Sequence, residues 1–394
     1  MVNINGGRRL VAVFLLAITF VGCGSSGSGG TPPPPSSAKR GDLVSSEVIT
    51  TSVPGGKYPV SSRKLIYKTV TPDGRLINAS GVLAYPLKPA GASSPLLSFQ
   101  HATIFKDEDA PSNNPNTNDA LLLLAATGYI TVMADYIGYA TSANEEVHTF
   151  VIAEGLAAAV IDLLRATRQY LAANSIATNG QLFLTGYSEG GYATLAAQKQ
   201  IEQNLAGEFS ITASMPAAGP YDMSATIQYM VGQPTNNNPE LLGFVFKAYD
   251  YWYRLNRLDS IFQAPYAGVI ATYYDGTRSA GDTRNALTTN MATLFTNSFR
   301  SEFLGSGETT IKEYLRANDI YNWAPRTPTR FFHGQEDSIV PYANATTAVT
   351  AMTGAGATDV SLVECVAPRR EHEQCVASYF VEVTNWFGSL ANDL

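Results

Sequence analysis

From Pro95 to Pro216 short apolar runs alternate with longer segments of helical periodicity, and this rhythm constrains the fold more than any other feature. Pro95–Gln100, Tyr129–Ala134, Gln181–Thr185 and Phe209–Pro216 read as strands. Asp119–Thr127, Phe150–Ala173 and Tyr192–Asn204 read as the helices between them. In Phe150–Ala173 the residues Leu156, Val160, Leu163 and Leu164 recur at helical spacing on one face. Parallel strands need crossover connections, so strands that alternate with helices predict a mostly parallel sheet covered on both faces. Ahead of this region, Lys64–Val70 and Leu76–Tyr85 flank Pro72-Asp73-Gly74, a turn signal that predicts a β-hairpin.

The rhythm stops between about Pro220 and Trp323, where Tyr249, Tyr251, Trp252, Tyr253, Tyr266, Tyr273 and Tyr274 stand among helix-like patches. It resumes with a strand at Thr329–His333, a helix from Ala343, a strand at Asp359–Val366 and a helix at Val376–Leu390. A long insertion inside such a sheet predicts a cap over the strand ends. The expected core is residues 46–219 and 324–394, and the expected cap 220–323; a chain of 394 residues has room for both.

The N-terminus follows other rules. Arg8 and Arg9 precede an apolar run from Leu10 to Val21, a charged and then hydrophobic pattern that predicts a signal peptide over residues 1–22. Phe20-Val21-Gly22-Cys23 resembles a bacterial lipobox, which implies lipidation of Cys23 and a membrane anchor; the competing reading is an ordinary cleaved signal. Residues 23–45 predict a tether, in which the Gly/Ser-rich stretch Gly24–Arg40 with Pro32 to Pro35 extends on the order of 50 Å. Gly24 after the cysteine resembles the outer-membrane sorting pattern of Gram-negative lipoproteins. The chain is therefore expected to be exported, and secreted if the anchor is absent. A net charge of −7 offers no footprint for nucleic acid.

Gly186-Tyr187-Ser188-Glu189-Gly190 sits between an expected strand and an expected helix. G-x-S-x-G in that context places a serine on a sharp turn, with glycines where side chains would clash and a helix N-terminus facing developing negative charge. Serine needs a base, and the base an orienting acid. Of four histidines, His101, His148, His333 and His372, two follow Ser188. Phe332 to Pro341 reads F-H-G-Q-E-D-S-I-V-P, which closely resembles the acid-bearing loop H-G-x-x-D-x-x-V-P of the α/β-hydrolase superfamily. The match puts Asp337 at the acid position, with Glu336 its rival. His372, between the last strand and last helix, falls where the base is expected, with His333 its rival.

The superfamily resemblance also implies an oxyanion hole from two backbone N–H groups: that of Glu189, and one from Gln100-His101-Ala102-Thr103, which resembles the H-G-x loop with Ala in the Gly position. Thr103 supplies the second donor by that match and Ala102 is the fallback; His101 is expected to orient the loop. Asp135-Tyr136-Ile137-Gly138-Tyr139 resembles the D-Y-x-G segment of bacterial and fungal secretory lipases, with Asp135 structural. His148 is expected to lead the long helix. Cys365 and Cys375 bracket His372; in an oxidising compartment they could pair, contributing roughly 2–3 kcal/mol, or could remain buried thiols.

The resemblance implies a carboxylic ester hydrolase acting on small-molecule or lipid esters through an acyl-enzyme, with the aromatic insertion supplying an apolar acyl pocket or lid. It needs no metal or cofactor. A serine peptidase and a non-catalytic surface-binding lipoprotein are the competing readings.

Overall fold

The computed structural model describes residues 38–49, 56–114, 119–366, 368 and 370–394. The expected signal peptide, Cys23 and most of the tether lie outside the described residues.

Nine strands form one sheet: β1 (Leu43–Ile49), β2 (Val60–Val70), β3 (Leu76–Pro86), β4 (Ser93–Gln100), β5 (Ile130–Ala134), β6 (Ala177–Tyr187), β7 (Ala213–Ala217), β8 (Thr329–Gly334) and β9 (Val360–Cys365). Their order is β1-β2-β3-β5-β4-β6-β7-β8-β9. The β1–β2, β2–β3 and β3–β5 pairs are antiparallel, and the pairs from β5 to β9 are parallel. This is the α/β-hydrolase architecture: the parallel strands all end on one edge, and that edge carries Ser188, Asp337 and His372 on the loops after β6, β8 and β9.

Helices α1 (Asp119–Thr127), α2 (Ala153–Ala173) and α3 (Glu189–Asn204) connect the strands as crossovers. Along β6 the side chains alternate. Leu182 and Leu184 enter the core shared with Leu156 and Val160 of α2, and Phe183 enters the core on the opposite face, shared with Leu121 of α1. Both faces are thus buried, so β4 from Ser94 on and β5 throughout are continuously buried rather than alternately exposed.

Eight helices, α4 to α11, run from Met223 to Ala317 between β7 and β8, among them α4 (Met223–Gly232), α5 (Pro239–Trp252) and α11 (Thr309–Ala317). Phe246 packs edge-on against Phe262, Phe295 and Phe299, a small aromatic core inside this insertion. Its two ends meet at one point: Ile320 donates its N–H to the Tyr221 carbonyl at 3.0 Å, and Asp319 accepts from the amide and hydroxyl of Ser224. The chain then returns through β8, α12 (Ala343–Gly354), β9 and α13 (Val376–Leu390). No described helix is long and apolar enough to cross a membrane.

Several boundaries differ from the sequence reading. The expected tether runs to residue 45, yet β1 begins at Leu43 and Arg40 already pairs with buried Asp162 at 3.1 Å. Helix α2 starts at Ala153 rather than Phe150, because Val151 holds φ at +46°, outside helical space. Strand β7 starts at Ala213; Phe209 and Ile211 are apolar because they pack into the core behind α3, not because they are paired.

Candidate active site

Strand β6 delivers the chain into Tyr187-Ser188, and α3 begins at Glu189, three residues earlier than periodicity indicates. Ser188 has φ +60° and ψ −122°, a conformation that L-residues adopt only when their surroundings impose it. The surroundings here are backbone. The Ser188 N–H donates to the Ala217 carbonyl at 2.9 Å, and a Cβ on Gly190 would fall 2.8 Å from the His101 carbonyl oxygen and nearer still to that of Gln100. The strained turn and the loop after β4 are therefore fitted to each other without side chains between them.

The hydroxyl of Ser188 lies 2.9 Å from Nε2 of His372, whose Nδ1 lies 2.6 Å from Oδ2 of Asp337. Asp337 is buried and also receives the amides of Ile339 (2.9 Å) and Val340 (2.8 Å) on Oδ1 and His333 Nε2 (3.1 Å) on Oδ2. Burial alone would raise its carboxyl, but the hydrogen bonds from His333 and His372 and their charge interactions overcome this and hold it at about 2. An ionised Asp337 only accepts, so His372 carries hydrogen on Nδ1 and turns the lone pair of Nε2 to Ser188.

Both rivals are placed elsewhere. Glu336 is exposed, 3.5 Å from Arg370. His333 lies within β8, and its Nε2 points to Asp337 and to the Val340 carbonyl, both acceptors. It is thus a donor to Asp337.

Cys365 and Cys375 form a disulfide that closes the loop bearing His372. Glu371 accepts from the Ser338 hydroxyl at 2.9 Å, tying that loop to the one bearing Asp337.

Thr103, Ser188 and Glu189 line one apolar pocket of about 50 Å³, closed by Met223, Ile227 and Met230 of α4 and by Leu242 and Val245 of α5. The insertion thus lends apolar side chains to the wall, which is mostly aliphatic apart from Phe150, and Tyr249, Trp252, Tyr253 and Tyr274 do not line it. The tyrosines instead fasten the insertion through their hydroxyls: Tyr274 donates to the Glu240 carbonyl at 2.6 Å, and Tyr253 accepts from Asn318 at 2.7 Å. His101 stacks on Tyr136 at 4.1 Å with Nδ1 2.8 Å from the Ala102 carbonyl, and burial lowers its basicity, as suits a residue that orients its loop. Asp135 accepts from Ser80 and Ser112 and is structural. Among the described residues no group of three His, Cys, Asp or Glu side chains could hold a metal ion.

Residues 118–381, about two thirds of the chain, match the family model for secretory lipases. The chain belongs to the secretory lipase family. It is a carboxylic ester hydrolase. It is similar to the rice cell wall degrading esterase LipA from Xanthomonas oryzae in a ligand-bound form (28% identity, TM-score 0.81, 89% of this chain and 100% of the other). It is also similar to a putative hydrolase from Legionella pneumophila (26% identity, TM-score 0.82, 88% and 98%). Lipase A of Candida antarctica shares the fold at 20% identity and TM-score 0.65, over 85% of this chain and 78% of that one. No curated protein matches the sequence.

Three residues of this secretory lipase family member make contacts that the sequence reading does not assign. Tyr187 donates its phenol to the His372 carbonyl at 2.6 Å, and His333 supports the acid. His148 does not lead α2, whose N-cap is Ile152; it is buried against Glu189, with Nε2 2.6 Å from Oε1. A signal for it was present. Glu189 follows Ser188 at the start of α3, and an acidic side chain buried there needs a partner, for which His148 is a candidate.

Proposed function

We propose that this ester hydrolase works through Ser188, His372 and Asp337. The observation that carries the reading is the relay of contacts, 2.9 Å from Ser188 Oγ to His372 Nε2 and 2.6 Å from His372 Nδ1 to Asp337. Ser188 attacks the ester carbonyl as His372 takes its proton, and the Ser188 Oγ–carbon bond forms while the carbonyl π pair moves onto oxygen. The N–H groups of Glu189 and Thr103 hold that oxyanion. Collapse of the intermediate breaks the carbon–alkoxide bond as His372 returns the proton to the leaving oxygen. Water, activated by the same imidazole, then releases the acid. Asp337 keeps the imidazole in the Nδ1–H tautomer and offsets the charge it gains.

The aliphatic pocket beside Ser188 takes the acyl group. At about 50 Å³ it is well below the roughly 150 Å³ that accommodates benzene, so it suits acyl groups of a few carbons. Longer chains require α4 and α5 to part. Residues 220–323 then act as a cap that sets acyl length, on the core formed by the sheet and its flanking helices. Export is supported by the family; lipidation at Cys23 holds the enzyme to a membrane, the outer membrane by the residue that follows.

A fluorophosphonate probe is expected to label the wild type and not Ser188→Ala, which should also lose ester hydrolysis while remaining folded. Hydrolysis by Ser188→Ala at more than about a hundredth of the wild-type rate would overturn the assignment. A series of p-nitrophenyl esters tests the pocket, with kcat/KM expected to peak at short acyl chains.

A further inference from the structure

Glu189 poses an electrostatic problem that its partner resolves. It is the first residue of α3, and its side chain is buried to 1% exposure beside the amide assigned to the oxyanion. A bare carboxylate there would compete with the oxyanion for the same helix N-terminus and repel it through a low-dielectric interior. His148 is equally enclosed, at 3% exposure, with Tyr139, Phe244 and Phe150 rings around it at 4.6 to 6.1 Å.

The hydrogen bonds define the charge of the pair. His148 Nδ1 lies 2.9 Å from the Ile137 carbonyl, which only accepts, so Nδ1 carries a hydrogen. Nε2 and Glu189 Oε1 then approach to 2.6 Å, and a neutral imidazole facing a carboxylate would set lone pair against lone pair. One further proton must lie between them. With it the pair has no net charge, whether written as imidazolium and carboxylate or as imidazole and carboxylic acid. The D-Y-x-G segment builds this site. Ile137 supplies the acceptor, and Gly138, at φ +95°, lets the His148 backbone approach so closely that a Cβ would fall 2.8 Å from the Val147 carbonyl carbon.

We propose that His148 is a positioning residue that cancels the charge of Glu189 and, through that side chain, aims the Glu189 amide at the oxyanion. The proposal rests on the oxyanion assignment above. It makes the harm of removing His148 depend on a carboxylate at position 189.

The test is a rescue measured on p-nitrophenyl butyrate with the full chain. His148→Asn is expected to lower kcat by about 30-fold or more with KM changed less than about threefold, since the oxyanion exists only beyond the ground state. The double variant His148→Asn/Glu189→Gln is expected to regain about tenfold in kcat, because Gln removes the charge that His148 no longer offsets. A double variant no faster than His148→Asn would overturn the proposal and leave the ring a packing element. So would a His148→Asn enzyme within about threefold of wild type. Should His148→Asn not fold, His148→Phe with and without Glu189→Gln gives the same comparison, since the ring keeps its aromatic neighbours. Labelling of wild-type Ser188 by fluorophosphonate separates the two readings: absent labelling sinks the Ser188 mechanism and this proposal with it, whereas labelling without rescue sinks the role of His148 alone.

Discussion

Tyr187 and His372, far apart in the chain, are joined by a 2.6 Å hydrogen bond from the phenol of one to the backbone carbonyl of the other. Tyr187, next to Ser188, therefore holds the loop that carries His372, so a shift of the turn at Ser188 carries that loop with it. Tyr187→Phe removes this link and leaves a buried carbonyl without its donor. The expected cost is about 1–3 kcal/mol of stability and on the order of a tenfold fall in kcat, with KM little changed. Urea unfolding and steady-state kinetics on the same preparation check both; unchanged kcat would mean that the loop needs no such tie.

The acid gives a pH signature. Asp337 is held at about 2, below the ordinary aspartate value of 3.8. Its interactions stabilise the fold fully above about pH 4 and are lost as pH falls through 2, a contribution on the order of 2 kcal/mol. Asp337→Asn should therefore unfold more readily than wild type at pH 6, with the gap closing toward pH 2. Its kcat should fall by about 10⁴-fold, since Asn no longer selects the correct imidazole tautomer. A constant gap across that range in urea titrations would count against the assignment of charge.

The Cys365–Cys375 bond closes a short loop around the base. Replacing both cysteines with serine is expected to cost about 3 kcal/mol. Reduction of the wild type should reproduce that loss, and activity should fall faster on warming than the secondary structure melts. Coincident loss of activity and ellipticity would show that the loop has no independent weakness.

Gly190 lies against the carbonyls of Gln100 and His101. Gly190→Ala must push that loop away, and Thr103 with it, so kcat is expected to fall on the order of 100-fold. A probe that labels Ser188 at the wild-type rate in this variant would argue that Thr103 is not a donor.

What the sequence revealed follows its local physics. Helix α13 is visible as Val376–Leu390 because its own apolar spacing defines it, and the loop of Asp337 because its residues resemble the acid-bearing loop of the superfamily. Strand β1 is hidden: Leu43–Ile49 is an edge strand with mostly exposed side chains, defined by its pairing with β2 rather than by any pattern of its own. The start of α2 is hidden for a related reason, since a left-handed Val151 is imposed from outside the segment. Tyr187 and His148 meet partners distant in the chain, contacts formed only once strands and loops converge, whereas His333 meets Asp337 within the H-G-x-x-D segment itself, where the sequence offers it as a rival base. Tyr253 and Tyr274 show the converse: they stand out in the sequence, yet their hydroxyls bond Asn318 and Glu240 inside the insertion and do not face the pocket.

The pinch between Tyr221 and Ile320, where the insertion leaves and rejoins the sheet, makes its helices an exchangeable cassette. Lengthening, trimming or grafting sequence beyond that neck leaves strand register untouched, so a lineage could retune which acids it releases while inheriting the reacting atoms unchanged.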